Sequence, residues 1–298
     1  MSTQSTVLGD DPRWRWLTFA PALAFMVVLS VLPVLNLAVM SFFKIGWKDA
    51  KSIWEPVGLA NYRALGGDVL FGASLRNTVI FALASVALQM VIGFALALWC
   101  SKVARGRTAY RMIFILPLLI PGIVIGAIWK LMLNSDFGLV NQVLELVGIW
   151  PVDWLGDGDV ALFSVVMVDI WHWTPFCFLL LLAGIESLPQ DIYESARVDG
   201  ATGWQELAWI TLPLMLPAIL VTFAFRLIVA FKVFDEVYLL TGGGPGTATE
   251  VLSFTIYQRF FTEDRAGYGA AMSIAAIFLV CLLLVAALSA RRRTGAPS

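Results

Sequence analysis

Runs of roughly 20 residues without one Asp, Glu, Lys or Arg constrain this chain more than any other feature, because a helix of that length crosses a hydrocarbon core about 30 Å thick. Such runs cover 17–43, 77–101, 112–129, 170–185, 209–225 and 266–290. The fourth extends back to Val160 through one acid, Asp169, and the fifth extends forward to Leu240 through Arg226, Lys232, Asp235 and Glu236. Backbone groups in lipid must satisfy one another, which favours helices. The expectation is an all-α integral membrane protein: six transmembrane helices within 16–290, short tails at 1–15 and 291–298, and both termini on one side.

Composition agrees. The 298 residues are 59% hydrophobic and 14% charged, with a mean hydropathy of +0.83, far more apolar than a soluble core of this length requires. A net charge of −1 offers nucleic acid no basic face. Cys100, Cys177 and Cys281 all fall in apolar runs and read as small hydrophobes. With a single histidine in the chain, a metal site made by this protein alone is not expected. The first apolar run exceeds the core of a cleavable signal, so it is read as a retained span. The basic loop SKVARGRTAYR and the RRR tail favour a cytoplasmic position for both termini. Prolines recur inside the runs at Pro21, Pro33, Pro117, Pro121, Pro175, Pro213 and Pro217, either as packing kinks or as bends around a passage.

Catalytic signatures are missing. There is no GxxxxGK[ST], HExxH or GxSxG, so the chain is read as a non-enzyme that carries no cofactor of its own. The glycine stretch TGGGPGTATE lacks a P-loop lysine and reads as a flexible or turning loop.

One segment, 187–208, is acidic and heavily punctuated: SLPQDIYESARVDGATGWQELA. Ser187 with Gln190 fits a capping box, and Pro189 suits a first helical turn. Gly200 is placed to end that helix in a left-handed cap. Thr202 with Gln205 forms a second box that starts the helix leading into ITLPLMLP. The local reading is a helix–turn–helix elbow between the fourth and fifth spans, either a well-capped surface loop or a docking device.

Glu194, Ser195 and Ala196, then Gly200 after three residues and Ile210, Leu212 and Pro213 after nine more, resemble the EAA loop of bacterial ABC importer permeases. Ser195 stands where the motif has its first alanine. VGLANYRAL, RNTVIFALASVALQMVIGFALAL, FILPLLIPGIVIGAIWKLML and FKVFDEVYLLTGGGPGTATE resemble the sugar-type branch, related to the membrane pair of the maltose importer. This resemblance implies an inner-membrane permease that works beside a second homologous permease, two ATP-binding subunits that hold ATP and Mg, and an external or periplasmic solute-binding protein. It also implies that Glu194, Ser195, Ala196, Asp199 and Gly200 couple to the ATPase. Ile192 and Tyr193 would then be apolar anchors, and Gly242, Gly243, Gly244 and Pro245 would face the binding protein.

Charged groups inside spans normally face a bundle interior or water. Lys232, Asp235 and Glu236 are expected on one helical face, either as a boundary ion pair or as a polar cavity wall. Asp169, Trp171, His172 and Trp173 form either a carbohydrate station, with indole faces and a carboxylate, or an interfacial aromatic pair beside a core histidine. Gln89 is a further polar position, a solute contact or helix–helix glue. The rival to an ATP-driven importer is an ion-gradient-driven secondary transporter, which leaves the elbow unexplained. A membrane-embedded enzyme or scaffold is the reading from another class.

Overall fold

The computed structural model describes residues 12–48, 51–103 and 106–293; of the two expected tails, 1–11 and 294–298 lie outside these. The chain forms two compact units. One comprises the described residues up to Gly67 together with Gln258–Ile277, and the other comprises Asp68–Tyr257 and the chain from Phe278 onwards.

The first unit begins with helix α1 (Pro12–Met40) and an antiparallel hairpin of β1 (Phe43–Lys48) and β2 (Lys51–Pro56), paired from Phe43↔Pro56 to Lys48↔Lys51. The hairpin departs from the all-α expectation. Its strands are rich in aromatic and β-branched residues, and Phe43 meets Trp54 edge to face. Helix α2 (Ala60–Leu65) is pinned to the end of α1. The Asn61 side-chain amide donates to the carbonyls of Ser41 (2.8 Å) and Phe43 (3.2 Å), and the Ser41 and Tyr62 hydroxyls lie 2.7 Å apart.

The second unit is built on α3 (Val69–Lys102), whose first amides are capped by Asp68. Then follow α4 (Arg107–Ile115), a 3₁₀ turn (Leu116–Leu119), α5 (Gly122–Met132) and α6 (Leu139–Leu146). Helix α7 (Ala161–Glu186) leads through α8 (Gln190–Val198) and α9 (Gly203–Gln205) into a π-helical turn (Glu206–Thr211) and α10 (Leu212–Ala230). Short helices α11 (Asp235–Leu240) and α12 (Leu252–Tyr257) complete it, and a second π turn (Gln258–Thr262) precedes α13 (Ala266–Arg293).

Helices α3, α7 and α10 pack on one another, and small residues set how closely they approach. A Cβ on Gly93 of α3 would stand 2.9 Å from the Cβ of Cys177, and one on Gly184 of α7 would stand 2.8 Å from the Met215 methyl of α10. Around these crossings Ala97, Cys100, Cys177, Phe178, Leu181 and Met215 form one core cluster, and Phe81, Val86, Ile125, Val165, Val168 and Val237 belong to another. Cys100 and Cys177 are free and buried, as small hydrophobes would be.

Among the described residues, four helical stretches are long and apolar enough to cross a membrane: Thr18–Met40, Val69–Lys102, Ala161–Glu186 and Gly203–Ala230. The run at 112–129 is not one straight helix, because its two halves meet at 93°. Pro117 and Pro121 remove helical donors there, and Ile120, which precedes a proline, is extended (φ −88°, ψ 128°). Pro21, Pro33, Pro175 and Pro217 instead sit inside continuous helices. The fifth run also stops short of Leu240. Helix α10 ends at Ala230 and α11 starts at Asp235, so Lys232, Asp235 and Glu236 do not share a helical face. No glycine or proline marks that break; burial of Phe231 and Val233 in the core accompanies it.

Candidate functional site

The elbow is a sequence of local hydrogen bonds. The Ser187 hydroxyl donates back to the Gly184 carbonyl at 2.7 Å, and Pro189 precedes α8 without any side-chain cap. The capping box expected of Ser187 and Gln190 is therefore absent, since the hydroxyl serves the last turn of α7 instead. The other end of α8 matches expectation. Gly200 has φ +80°, its N–H donates to Arg197 O at 3.1 Å, and Ala201 N–H reaches Ala196 O at 2.9 Å. Those two bonds make a Schellman cap, in which glycine avoids the Cβ penalty of the left-handed region. Thr202 and Gln205 then form the reciprocal capping box that starts α9.

Two side-chain contacts fasten α8 to the π turn. The Tyr193 hydroxyl lies 3.0 Å from Thr211 Oγ1, which itself donates to the Glu206 carbonyl at 3.2 Å. Arg197 Nε donates to Glu206 Oε1 at 2.9 Å, and that hydrogen bond, with the carboxylate's charge, raises the guanidinium's pKa. Arg111 of α4 pairs with Glu186 at the end of α7. A groove of about 890 Å³ runs beneath, lined by Lys102, Glu186, Tyr193, Arg197, Trp204 and Leu207 among others. Tyr193 is half-buried with its hydroxyl turned towards Thr211, whereas Ile192 is 38% exposed. The outward face carries Glu194, Ser195, Val198, Asp199 and Gly200, all exposed, with Ala196 half-buried behind them.

Farther along the same helices lies a buried polar cluster. Arg226 of α10 donates through Nη2 to Asp169 Oδ2 of α7 at 2.5 Å, with both side chains at most 3% exposed. Gln89 of α3 donates to the same oxygen at 2.8 Å and to the Asp169 carbonyl at 2.9 Å. The Arg226 guanidinium lies 4.9 Å from the Trp173 ring centroid, a cation–π arrangement. Its Nε and Nη1 have no partner among the described residues. His172 Nδ1 sits 3.1 Å from Glu236 Oε1.

Asp169, His172, Trp173, Arg226, Lys232, Asp235 and Glu236 line one cavity of about 250 Å³. Gly122 opens α5 at its wall, where a Cβ would stand 2.9 Å from Asp235 Oδ2; a carboxylate at a helix N-terminus is favourably placed. Of the residues singled out in the sequence, Trp171 does not reach this cavity. It packs edge to face on Trp129 and is 41% exposed. Gln89 stays behind Asp169 as a strut. The Trp173 indole is covered by Arg226 on one side and meets Phe176 edge to face, so it is not the free stacking platform of the carbohydrate-station reading. Glu236 partners His172 rather than Lys232, whose ammonium has no carboxylate within ion-pair distance among the described residues. Opposite charges buried in apolar spans signalled that Asp169 and Arg226 would need partners; their spacing along the chain did not say which.

The glycine loop is ordered. Gly242, Gly243 and Gly246 all have positive φ (60°, 87° and 58°). The Thr249 hydroxyl donates to Gly244 O at 2.7 Å, and the Asn77 amide of α3 donates to Thr247 O and Glu250 O at 2.8 and 3.0 Å. At Gly243 a Cβ would collide with Glu250 Oε2. The loop is a fixed turn tied to α3.

Apolar helices long enough to cross a bilayer, a polar cavity walled by them and a capped elbow between two of them define a membrane permease. Residues 89–294 match the binding-protein-dependent transport system inner membrane component family, and the chain belongs to that family. It is 38% identical over 272 residues to the trehalose/maltose transport system permease protein of Thermococcus litoralis, covering 91% of this chain and 90% of that one. It is 33% identical over 274 residues to the sulfoquinovosyl glycerol transport system permease protein of Agrobacterium fabrum, covering 88% and 89%. Its fold resembles a chain of a bacterial alginate ABC transporter solved with its alginate pentasaccharide-bound periplasmic protein. The TM-score is 0.81 at 27% identity, over 96% of this chain and 98% of that one.

Proposed function

We propose that this permease carries a sugar or related polyhydroxylated solute inward by alternating access, driven by ATP hydrolysed on two partner ATPase subunits. A second homologous permease and an external solute-binding protein complete the assembly. Relatives named for trehalose/maltose and sulfoquinovosyl glycerol transport, and the alginate transporter, support the solute class. In this reading the membrane domain is 16–290, with six spans when the bent pair counts as one and α13 as the last. Both termini are cytoplasmic. The loop at 187–208 docks on an ATPase subunit through Glu194, Ser195, Ala196, Asp199 and Gly200. Asp169, His172, Trp173, Lys232 and Asp235, joined by Arg226, form a wall of the solute path. The turn at Gly242–Gly243–Gly244–Pro245 faces the binding protein.

One observation carries the coupling assignment. The α8 elbow is fastened on its inner side by Tyr193–Thr211 and Arg197–Glu206, while Glu194 stands exposed with no hydrogen bond or ion pair among the described residues. An exposed carboxylate on a rigid, capped helix suits a charge-assisted bond from a basic partner residue. The test is solute uptake by the assembled transporter in liposomes. Glu194→Ala is expected to abolish uptake and the stimulation of ATP hydrolysis by the loaded binding protein, leaving that protein's solute affinity unchanged. Uptake at the parent rate would remove the assignment, and concentrative uptake with no ATPase subunit present would restore the secondary-transporter alternative.

A further inference from the structure

Helices α7 and α10 both lead into the elbow, and they are fastened to each other at separate depths. Tyr193–Thr211 and Arg197–Glu206 hold the elbow end. Gly184 lets α7 approach Met215 and Ala218 closely. Arg226–Asp169 then joins the helices again, about 22 Å beyond Thr211 along α10 at 1.5 Å per residue. Two rods gripped only at one end scissor when that end is pushed, whereas rods gripped at both ends translate and rotate as one body.

We propose that Asp169 and Arg226 are positioning residues that make α7, the elbow and α10 a single lever, so that a stroke delivered at α8 reaches the cavity undiminished. The pair is suited to this. Its side chains are 1% and 3% exposed, Gln89 braces it from α3, and the guanidinium is held against Trp173 on the next turn of α7. Both partners also line the cavity, so movement of the lever moves the cavity wall directly. The pair makes a poorer solute contact, because one Asp169 oxygen already accepts from both Arg226 and Gln89. This inference rests on the coupling role proposed for the elbow.

The measurement is solute imported per ATP hydrolysed, made on the complete transporter with its loaded binding protein in liposomes. Asp169→Asn is expected to lower that ratio roughly twofold to thirtyfold, the range of coupling changes produced by residues along such connections, while hydrolysis stays stimulated and the KM for the loaded binding protein is unchanged. Arg226→Lys, which keeps the charge, is expected to retain most of the ratio. Where the single variant does not assemble, Asp169→Asn/Arg226→Gln leaves no lone buried charge and gives the same reading. An undiminished ratio in these neutral variants would overturn the lever, as would a changed solute preference with the ratio intact, which would make the pair itself a solute contact rather than a clamp. Glu194→Ala serves as the separate control. If it leaves stimulated hydrolysis and import intact, the coupling role of the elbow fails, and the lever fails with it for a different reason.

Discussion

The stretch from α7 through the elbow to α10 is closed on itself by an ion pair at each of two places, and the two pairs differ sharply. At the elbow, Arg197 meets Glu206 with the arginine 65% exposed; deep in the bundle, Arg226 meets Asp169 with side chains 1% and 3% exposed. Water solvates the Arg197 end of the first pair, although Glu206 is only 13% exposed, so its removal changes much less. The second was stripped of water when the helices packed. Its formation need not be a net gain, yet losing one partner strands a charge in a low-dielectric interior. The exposed pair therefore adds little to an elbow already held by its caps and by Tyr193–Thr211, whereas the deep pair is costly to open.

The largest expected effect follows from that asymmetry. Arg226→Ala should destabilise the assembled protein by about 3–5 kcal/mol, the usual cost of orphaning a buried charge, read as a lower thermal unfolding midpoint in detergent. Replacing Asp169 and Arg226 together with apolar residues of similar volume should cost much less than either change alone. If the double variant were as damaged as the sum of the singles, the deep pair would be acting as two independent contacts and the contrast with the elbow would break.

Gly200→Val comes next. Forcing a β-branched residue to φ +80° should cost about 1–2 kcal/mol in the left-handed region, and the loss should appear locally, as faster amide hydrogen exchange across 190–201. Tyr193→Phe deletes only the bond to Thr211, worth about 0.5–1.5 kcal/mol, and should accelerate exchange in the π turn without moving the global midpoint. Arg197→Ala should be smallest, with no measurable shift in the midpoint at any salt concentration. A clear shift there would mean that the exposed pair is braced by neighbours and resembles the deep one.

Legibility in the sequence followed the distance along the chain over which each contact is made. The α8 terminus at Gly200 and the Thr202–Gln205 box were readable because every bond in them links residues at most five apart. The 93° break in the third apolar run was implicit in Pro117 and Pro121, whose missing donors were visible even though the angle was not. The β1–β2 hairpin also had a local signal in FKIGWKDAKSIWEP, but the all-α expectation left no strand there. Ser187 illustrates the limit of local reading: its hydroxyl could serve the helix before it or the helix after it, and packing at the end of α7 chose the former.

Membrane residence, the end of α8, the start of α9 and family membership were all determined by the sequence itself, because hydropathy, capping and motif spacing are properties of neighbouring residues. The partners of the buried charges were decided only by tertiary structure. Asp169 and Arg226 lie 57 positions apart, as His172 and Glu236 lie 64 apart, and nothing local links them. The break after Ala230 and the outward turn of Trp171 belong to the same class. Which side chains meet across a bundle depends on helix rotation and close approach, and these are set where Gly93 and Gly184 let three helices come together.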